Sequence, residues 1–271
     1  MRKATLLSAL TLTFALVAGD ALAARCGNNS AGFNRWLTDF KREAVRAGIS
    51  QRVVDSALRG VSYDTSVIKL DRNQKHFKLS FNEFWKRRVS NLHITKGRSL
   101  IKQNASLFNA IERRYGVQPE VLAAIWGLET SFGANTGNKS AFRSLATLAY
   151  DCRRSDFFTK ELMAALTIVQ RGDMQPSQMV GAWAGELGQT QFLASSYVRF
   201  AVDGDGNGRR DLIRSRADAL ASTANYLKAY GWRAGQPYQP GTHNYAVLKQ
   251  WNRATVYQQT IAVLAQKIAG G

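Results

Sequence analysis

Val121-Leu122-Ala123-Ala124-Ile125-Trp126-Gly127-Leu128-Glu129-Thr130-Ser131-Phe132-Gly133 is the stretch on which the fold turns. Pro119 stands where a helix favours its first residue, and Glu120 follows near the positive end of the helix dipole. Apolar side chains at 121, 125, 128 and 132 recur at helical spacing and predict a stripe facing a core. Glu129 lies one step off that stripe, in the last turn before Gly133, among Ile125, Trp126, Leu128 and Phe132. Apolar surroundings penalise an ionised carboxylate and raise its pKa, as a general acid working near neutrality requires. A lone Glu in a helix is more often a solvated surface group, so these residues alone leave both readings open.

Outward from this segment the chain carries helical punctuation nearly everywhere and convincing strand alternation nowhere. Phe33, Trp36, Leu37, Phe40, Ala44 and Val45 keep helical spacing up to Gly48, and Ser50 reads as the N-cap of a short helix stopped by Gly60. A basic helical stretch passes through Phe81, Phe84, Trp85 and Val89, and another helix is predicted from about Ser99 to Tyr115. Further helices are predicted from Ser155 to Gly172, from Ala217 to Tyr230 and from about Tyr245 to Ile268. Only four prolines interrupt 271 residues, and neither a repeat nor a low-complexity linker divides them. The expectation is one mainly α unit over residues 24–271, with an N-terminal helical part at about 33–115 and a core at about 116–271.

The first 23 residues have the layout of a secretory signal peptide: Arg2-Lys3, an apolar run from Ala4 to Val17, and Ala21-Leu22-Ala23 as a small-x-small cleavage site. The run stops short of the roughly 20 residues a spanning helix needs, and no later segment is long and apolar enough. Removing residues 1–23 leaves 35 basic and 18 acidic side chains, a net charge of +17. An exported, basic, soluble protein meets acidic cell-envelope polymers rather than nucleic acid. Three histidines and two distant cysteines exclude a zinc finger, a HExxH protease and a CxxC redox site. In an oxidising compartment Cys26 and Cys152 are expected to pair, the alternative being two buried thiols.

Glu129-Thr130-Ser131-Phe132-Gly133 followed by Gly181-Ala182-Trp183-Ala184-Gly185-Glu186-Leu187-Gly188-Gln189-Thr190-Gln191-Phe192 resembles the B-type lytic murein transglycosylases. Further matches arrive in that family's order: Leu145–Tyr150, Arg153-Arg154, Ser195-Ser196-Tyr197, Ala201-Val202-Asp203, Ala224–Leu227, Gly231-Trp232, and Trp251-Asn252-Arg253 with Tyr257. The resemblance implies a lysozyme-like (goose-type) helical domain with little β structure. It implies cleavage of peptidoglycan between N-acetylmuramic acid and N-acetylglucosamine, with Glu129 as the sole catalytic group. The Glu protonates the glycosidic oxygen and then takes the proton of the muramic C6 hydroxyl, which closes on C1 to leave a 1,6-anhydro end. An intramolecular nucleophile dispenses with the second carboxylate that ordinary glycosidases need.

The same resemblance assigns Gln191, Tyr226, Asn252 and Tyr257 to the sugar groove, and Arg153 and Arg154 to the carboxylates of the stem peptide. Trp126 and Trp183 are expected in the core, and Glu186 in a structural or exposed position. Where the family commonly has Ser, this chain has Ala182. The hydroxyl contact to the catalytic Glu is then either dispensable or supplied by Asn252 or Tyr257. A periplasmic monomer acting on glycan strands and stem peptides is expected, with no cofactor required. A hydrolytic muramidase or a non-catalytic wall binder are the alternatives.

Asp203-Gly204-Asp205-Gly206-Asn207-Gly208-Arg209-Arg210-Asp211 reads as an EF-hand-like loop for a structural Ca²⁺. Asp203, Asp205 and Asn207 fall at positions 1, 3 and 5, Gly208 at the sharp turn, and Arg209 offers its carbonyl. Arg214 occupies the place of the closing Glu, so the last acid would be Asp218. A metal-free Asx turn is the competing reading.

Overall fold

The computed structural model describes residues 25–73 and 79–270; the expected signal peptide lies outside them. Thirteen α-helices are described: α1 (Phe33–Arg46), α2 (Gln51–Ala57), α3 (Thr65–Arg72), α4 (Phe81–Arg88), α5 (Asn91–Gln103), α6 (Ala105–Tyr115), α7 (Pro119–Thr130), α8 (Ala141–Tyr150), α9 (Ser155–Gln170), α10 (Ala194–Phe200), α11 (Arg216–Ala229), α12 (His243–Trp251) and α13 (Thr255–Ala269). A single antiparallel pair, β1 (Lys139–Ser140) with β2 (Val180–Gly181), is all the sheet among the described residues. The helical class is as expected. No helix among the described residues is long and apolar enough to cross a membrane.

Two predicted helices are each split. Asn104 ends α5 and starts α6, its amide donating to the Leu100 carbonyl at 2.8 Å and so competing with the helix ladder. Asn252 leaves helical geometry between α12 and α13, and its side-chain oxygen accepts from the Ala254 backbone at 2.9 Å. The short helices α3, α8 and α10 were not among the predicted elements.

α7 is more central than a one-sided stripe implies. Every residue from Val121 to Leu128 is buried, so the helix is apolar all round and sits between α5, α6, α11 and α13. Helices from the N-terminal part pack directly on the later ones: α1 and α3 on α8, α2 on α9, α4 on α13 and α5 on α7. Cys26 and Cys152 form a disulfide that ties the first described residues to the turn after α8, where Gly27 also bonds the Tyr150 carbonyl.

Candidate functional site

α7 ends in an unusual way. Ser131, Phe132 and Gly133 take left-handed φ values of 51°, 63° and 83° in succession. Apart from glycines, Gln191 is the other described residue with positive φ, and it lines the same cleft. Such conformations cost about 1 kcal/mol or more each and persist where surrounding contacts over-determine them. Here the two motifs clamp one another. Thr130 donates its hydroxyl to the Gln189 carbonyl at 2.5 Å and accepts from the Gly133 backbone at 2.9 Å, while Trp126 donates its indole N–H to Gln189 Oε1 at 3.1 Å. A Cβ on Gly133 would lie 2.7 Å from that same Oε1, so the glycine is required by space as well as by φ.

These contacts place Glu129 on the wall of a cleft of about 490 Å³. Its Oε1 accepts from Tyr257 Oη at 2.6 Å and from Trp251 Nε1 at 3.0 Å. Oε2 has no hydrogen-bond partner among the described residues, so a proton on this carboxyl belongs there. Burial pushes the Glu129 pKa from an ordinary 4.5 up to about 7, against the two donors and the nearby Arg88 charge, which lower it. Arg88 is itself fixed by a 3.0 Å bond to the Leu128 carbonyl. The phenol of Tyr257 is raised well above its usual range by burial and by Glu129, and stays a donor.

The other sequence-predicted residues divide. Gln191, Tyr226 and Asn252 line the cleft together with Trp251. Gln191 donates to the Gly188 and Thr136 carbonyls at 2.9 and 3.2 Å, which anchors its loop. Tyr226 is buried, with its hydroxyl on the Gln250 carbonyl at 2.5 Å and its ring edge-on to Trp251. Ala182 lines the cleft, and the hydroxyl that reaches Glu129 is that of Tyr257 on α13. Arg153 and Arg154 do not line it: both guanidinium groups bond Asp71, which is buried, and Arg72 joins Asp71 to Asp151. Each arginine side chain is nevertheless about two-fifths exposed, at 44% and 36%.

One expectation is corrected: Trp183 is only partly buried and lines the cleft, whereas Trp126 is core. Glu186, expected in a structural or exposed position, is partly buried and lines the cleft with Glu129, its carboxyl bonded within the tight 181–192 turn. The sequence reasoning also missed Arg88, which stands in a solvated-looking basic run and carries no motif signal.

Outside the lining of the cleft, Asp203, Asp205 and Asp218 bring carboxylate oxygens within 4.8 Å of one another. Asp203 accepts from the Gly206 and Gly208 backbone at 2.7 and 2.6 Å, and Asp218, at the start of α11, accepts from Gly204 and Asp211. Asn207 accepts from the Arg209 backbone, and Arg214 is tied to Asp211 at 2.6 Å. Three clustered acids with all-oxygen donors fit a hard cation.

A model described as the transglycosylase SLT domain matches residues 32–242, most of the chain. The chain belongs to the transglycosylase SLT domain family. Within it, membrane-bound lytic murein transglycosylase B of Escherichia coli is 39% identical over 122 residues, 45% of this chain. That alignment spans about a third (34%) of the relative's length. SltB3 from Pseudomonas aeruginosa, solved in complex with NAG-anhNAM-pentapeptide, is similar at 33% identity and a TM-score of 0.83, covering 88% of this chain and 80% of that one. The Escherichia coli lytic transglycosylase Slt35, solved in complex with calcium, shares the fold at 24% identity and a TM-score of 0.75, over 91% and 96% of the two chains.

Proposed function

We propose that this SLT-domain protein is a lytic transglycosylase of peptidoglycan, and that Glu129 is its acid and then its base. The observation that carries this reading is a cleft-lining carboxyl held near a pKa of 7 with one oxygen doubly bonded and the other free. Protonated at Oε2, Glu129 gives its proton to the glycosidic oxygen as the C1–O bond breaks. The resulting carboxylate is held by Tyr257 and Trp251, which stabilise the anion without moving. It then removes the proton of the muramic C6 hydroxyl as that oxygen bonds to C1. One proton leaves Glu129 and one returns, so the cycle closes with no water consumed.

Gln191 and Asn252, with the buried Tyr226 behind them in the cleft wall, are proposed to border the saccharide, with Trp183 as an aromatic platform at its edge. Arg153 and Arg154 are proposed to receive stem-peptide carboxylates with the donors that Asp71 leaves over. Residues 1–23 are proposed to direct export, leaving 24–271 as one periplasmic, monomeric unit. The 203–211 loop is proposed to hold a structural Ca²⁺ through Asp203, Asp205, Asn207, the Arg209 carbonyl and Asp218; the reaction itself calls for no metal.

Glu186 in the same cleft favours one alternative, hydrolysis by a two-carboxylate muramidase. Mass spectrometry of purified peptidoglycan digested by the protein separates the two. Muramic ends one water lighter than reducing ends support transglycosylation; reducing ends alone refute it. A protein that pellets with sacculi and releases no fragment would be a wall binder.

A further inference from the structure

Glu186 has no place in a single-carboxylate mechanism, yet it is built into the cleft. The hairpin-like turn that carries it is fixed at both ends, with Leu187 and Phe192 exchanging backbone bonds at 2.8 Å and Ala182 N donating to the Glu186 carbonyl at 3.0 Å. At Gly181 a Cβ would lie 1.9 Å from that carbonyl, so only glycine admits this path of the chain. The Glu186 carboxyl accepts from the turn's own backbone, Ala184 N at 3.2 Å, and makes no ion pair among the described residues. Arg88 lines the same cleft without an ion pair to it among the described residues.

Resting on the acid–base reading of Glu129, we propose that Glu186 is a positioning residue for the reaction, its negative charge acting through Glu129 to keep the acid's proton in place until the substrate takes it. The groups that face the pair come from every neighbouring element. Arg88 on α4 and Tyr257 on α13 favour the ionised form of Glu129, and Glu186 opposes it. Around Glu186, burial acts first and pushes its carboxyl up; the turn's backbone bonds and Arg154 before α9 favour ionisation, while Glu161 on α9, itself bonded to Ser195, opposes it. Arg154 is held on Asp71 and makes no ion pair with Glu186 among the described residues. Two carboxyls lining one cleft in this way titrate as a coupled pair, and charge on Glu186 weighs against charge on Glu129.

The test compares Glu186→Gln, Glu186→Asp and wild type by the pH dependence of kcat/KM on purified peptidoglycan, with thermal melting and sacculus pelleting as controls. The Gln variant is expected to move the alkaline limb to lower pH by about half a unit or more, with pelleting retained. The Asp variant, which keeps the charge, is expected to restore most of that limb. An unmoved limb in folded Glu186→Gln overturns the proposal, as does an equal displacement in both variants, which would mark a role in shape alone. Loss of folding in the Gln variant transfers the decision to Asp, whose limb must then match wild type. If Glu129→Gln remains active, the acid–base reading itself fails, and that result is distinct from any of these.

Discussion

Replacing Glu129 by Gln is expected to abolish turnover and, at alkaline pH, to make the protein more stable. The geometry tolerates the exchange: a Gln Oε1 accepts from Tyr257 and Trp251 as the carboxylate does, and the new NH₂ takes the place of an oxygen that has no protein partner. The energy follows from the raised pKa. Between 4.5 in the unfolded chain and about 7 in the folded one, the native state binds the extra proton. Stability from this group is therefore full below pH 4.5, declines as pH rises and is lost above 7. The interval corresponds to about 3 kcal/mol at roughly 1.4 kcal/mol per unit. The amide never ionises, so at pH 8 Glu129→Gln is expected to exceed wild type by up to about 3 kcal/mol, roughly 5–10 °C in Tm for a chain of this size. At pH 4.5 the two should melt together. Melting curves at both pH values decide the matter. A Gln variant no more stable than wild type at pH 8, or equally stabilised at pH 4.5, would show that the carboxyl is not held in a charge-hostile site.

Tyr257→Phe removes one of the two donors to Oε1, and the alkaline limb of kcat/KM is expected to rise by about one unit, since a bond to the charged form is lost. Addition of Ca²⁺ is expected to raise Tm, and Asp218→Asn to remove that gain without changing the product; calorimetric titration with Ca²⁺ alone checks the binding. Replacing Cys26 and Cys152 by Ser, a pair 126 residues apart, is expected to cost about 5 kcal/mol on the chain-entropy model, read from denaturant midpoints.

The helical class was legible because apolar spacing and glycine stops are local, and the decisive segment at 119–133 could be placed from Pro119 and Gly133 alone. Its depth was not. A helix with small residues such as Ala123, Ala124 and Gly127 between its apolar ones gives a weak periodic signal, and only the packing of α5, α11 and α13 shows it wrapped on all sides. The breaks at Asn104 and Asn252 were missed because Asn is tolerated inside helices, and side-chain bonds to nearby backbone decide which way it acts. The resemblance led to the cleft-lining Gln191, Tyr226 and Asn252 because it compares whole motifs. It had no means of placing Arg88, whose contribution is a distance across the fold, or of seeing that Asp71 already occupies Arg153 and Arg154. The place of Glu186 in the cleft was not legible because three glycines in twelve residues leave the path of the turn open, and its backbone bonds choose one.

The position of Glu129 on its helix adds a further reason for the acid's character. It stands in the last turn of α7, where unsatisfied carbonyls carry the negative end of the helix dipole. That field opposes ionisation, as do burial and Glu186, whereas Tyr257, Trp251 and Arg88 favour it. Two opposed sets of this kind leave a net shift to about 7, so that both forms of the carboxyl are populated near neutral pH. For a group that must lose a proton and then recover one in a single cycle, such balance matters more than a strong shift in either direction. A fully dry acid would hold its proton too tightly to protonate a sugar oxygen, and a well-solvated one would have none to give at neutral pH. Because Arg88 is anchored on the same turn, through the Leu128 carbonyl, that also bears Glu129, the cation is fixed beside the acid by the helix end itself.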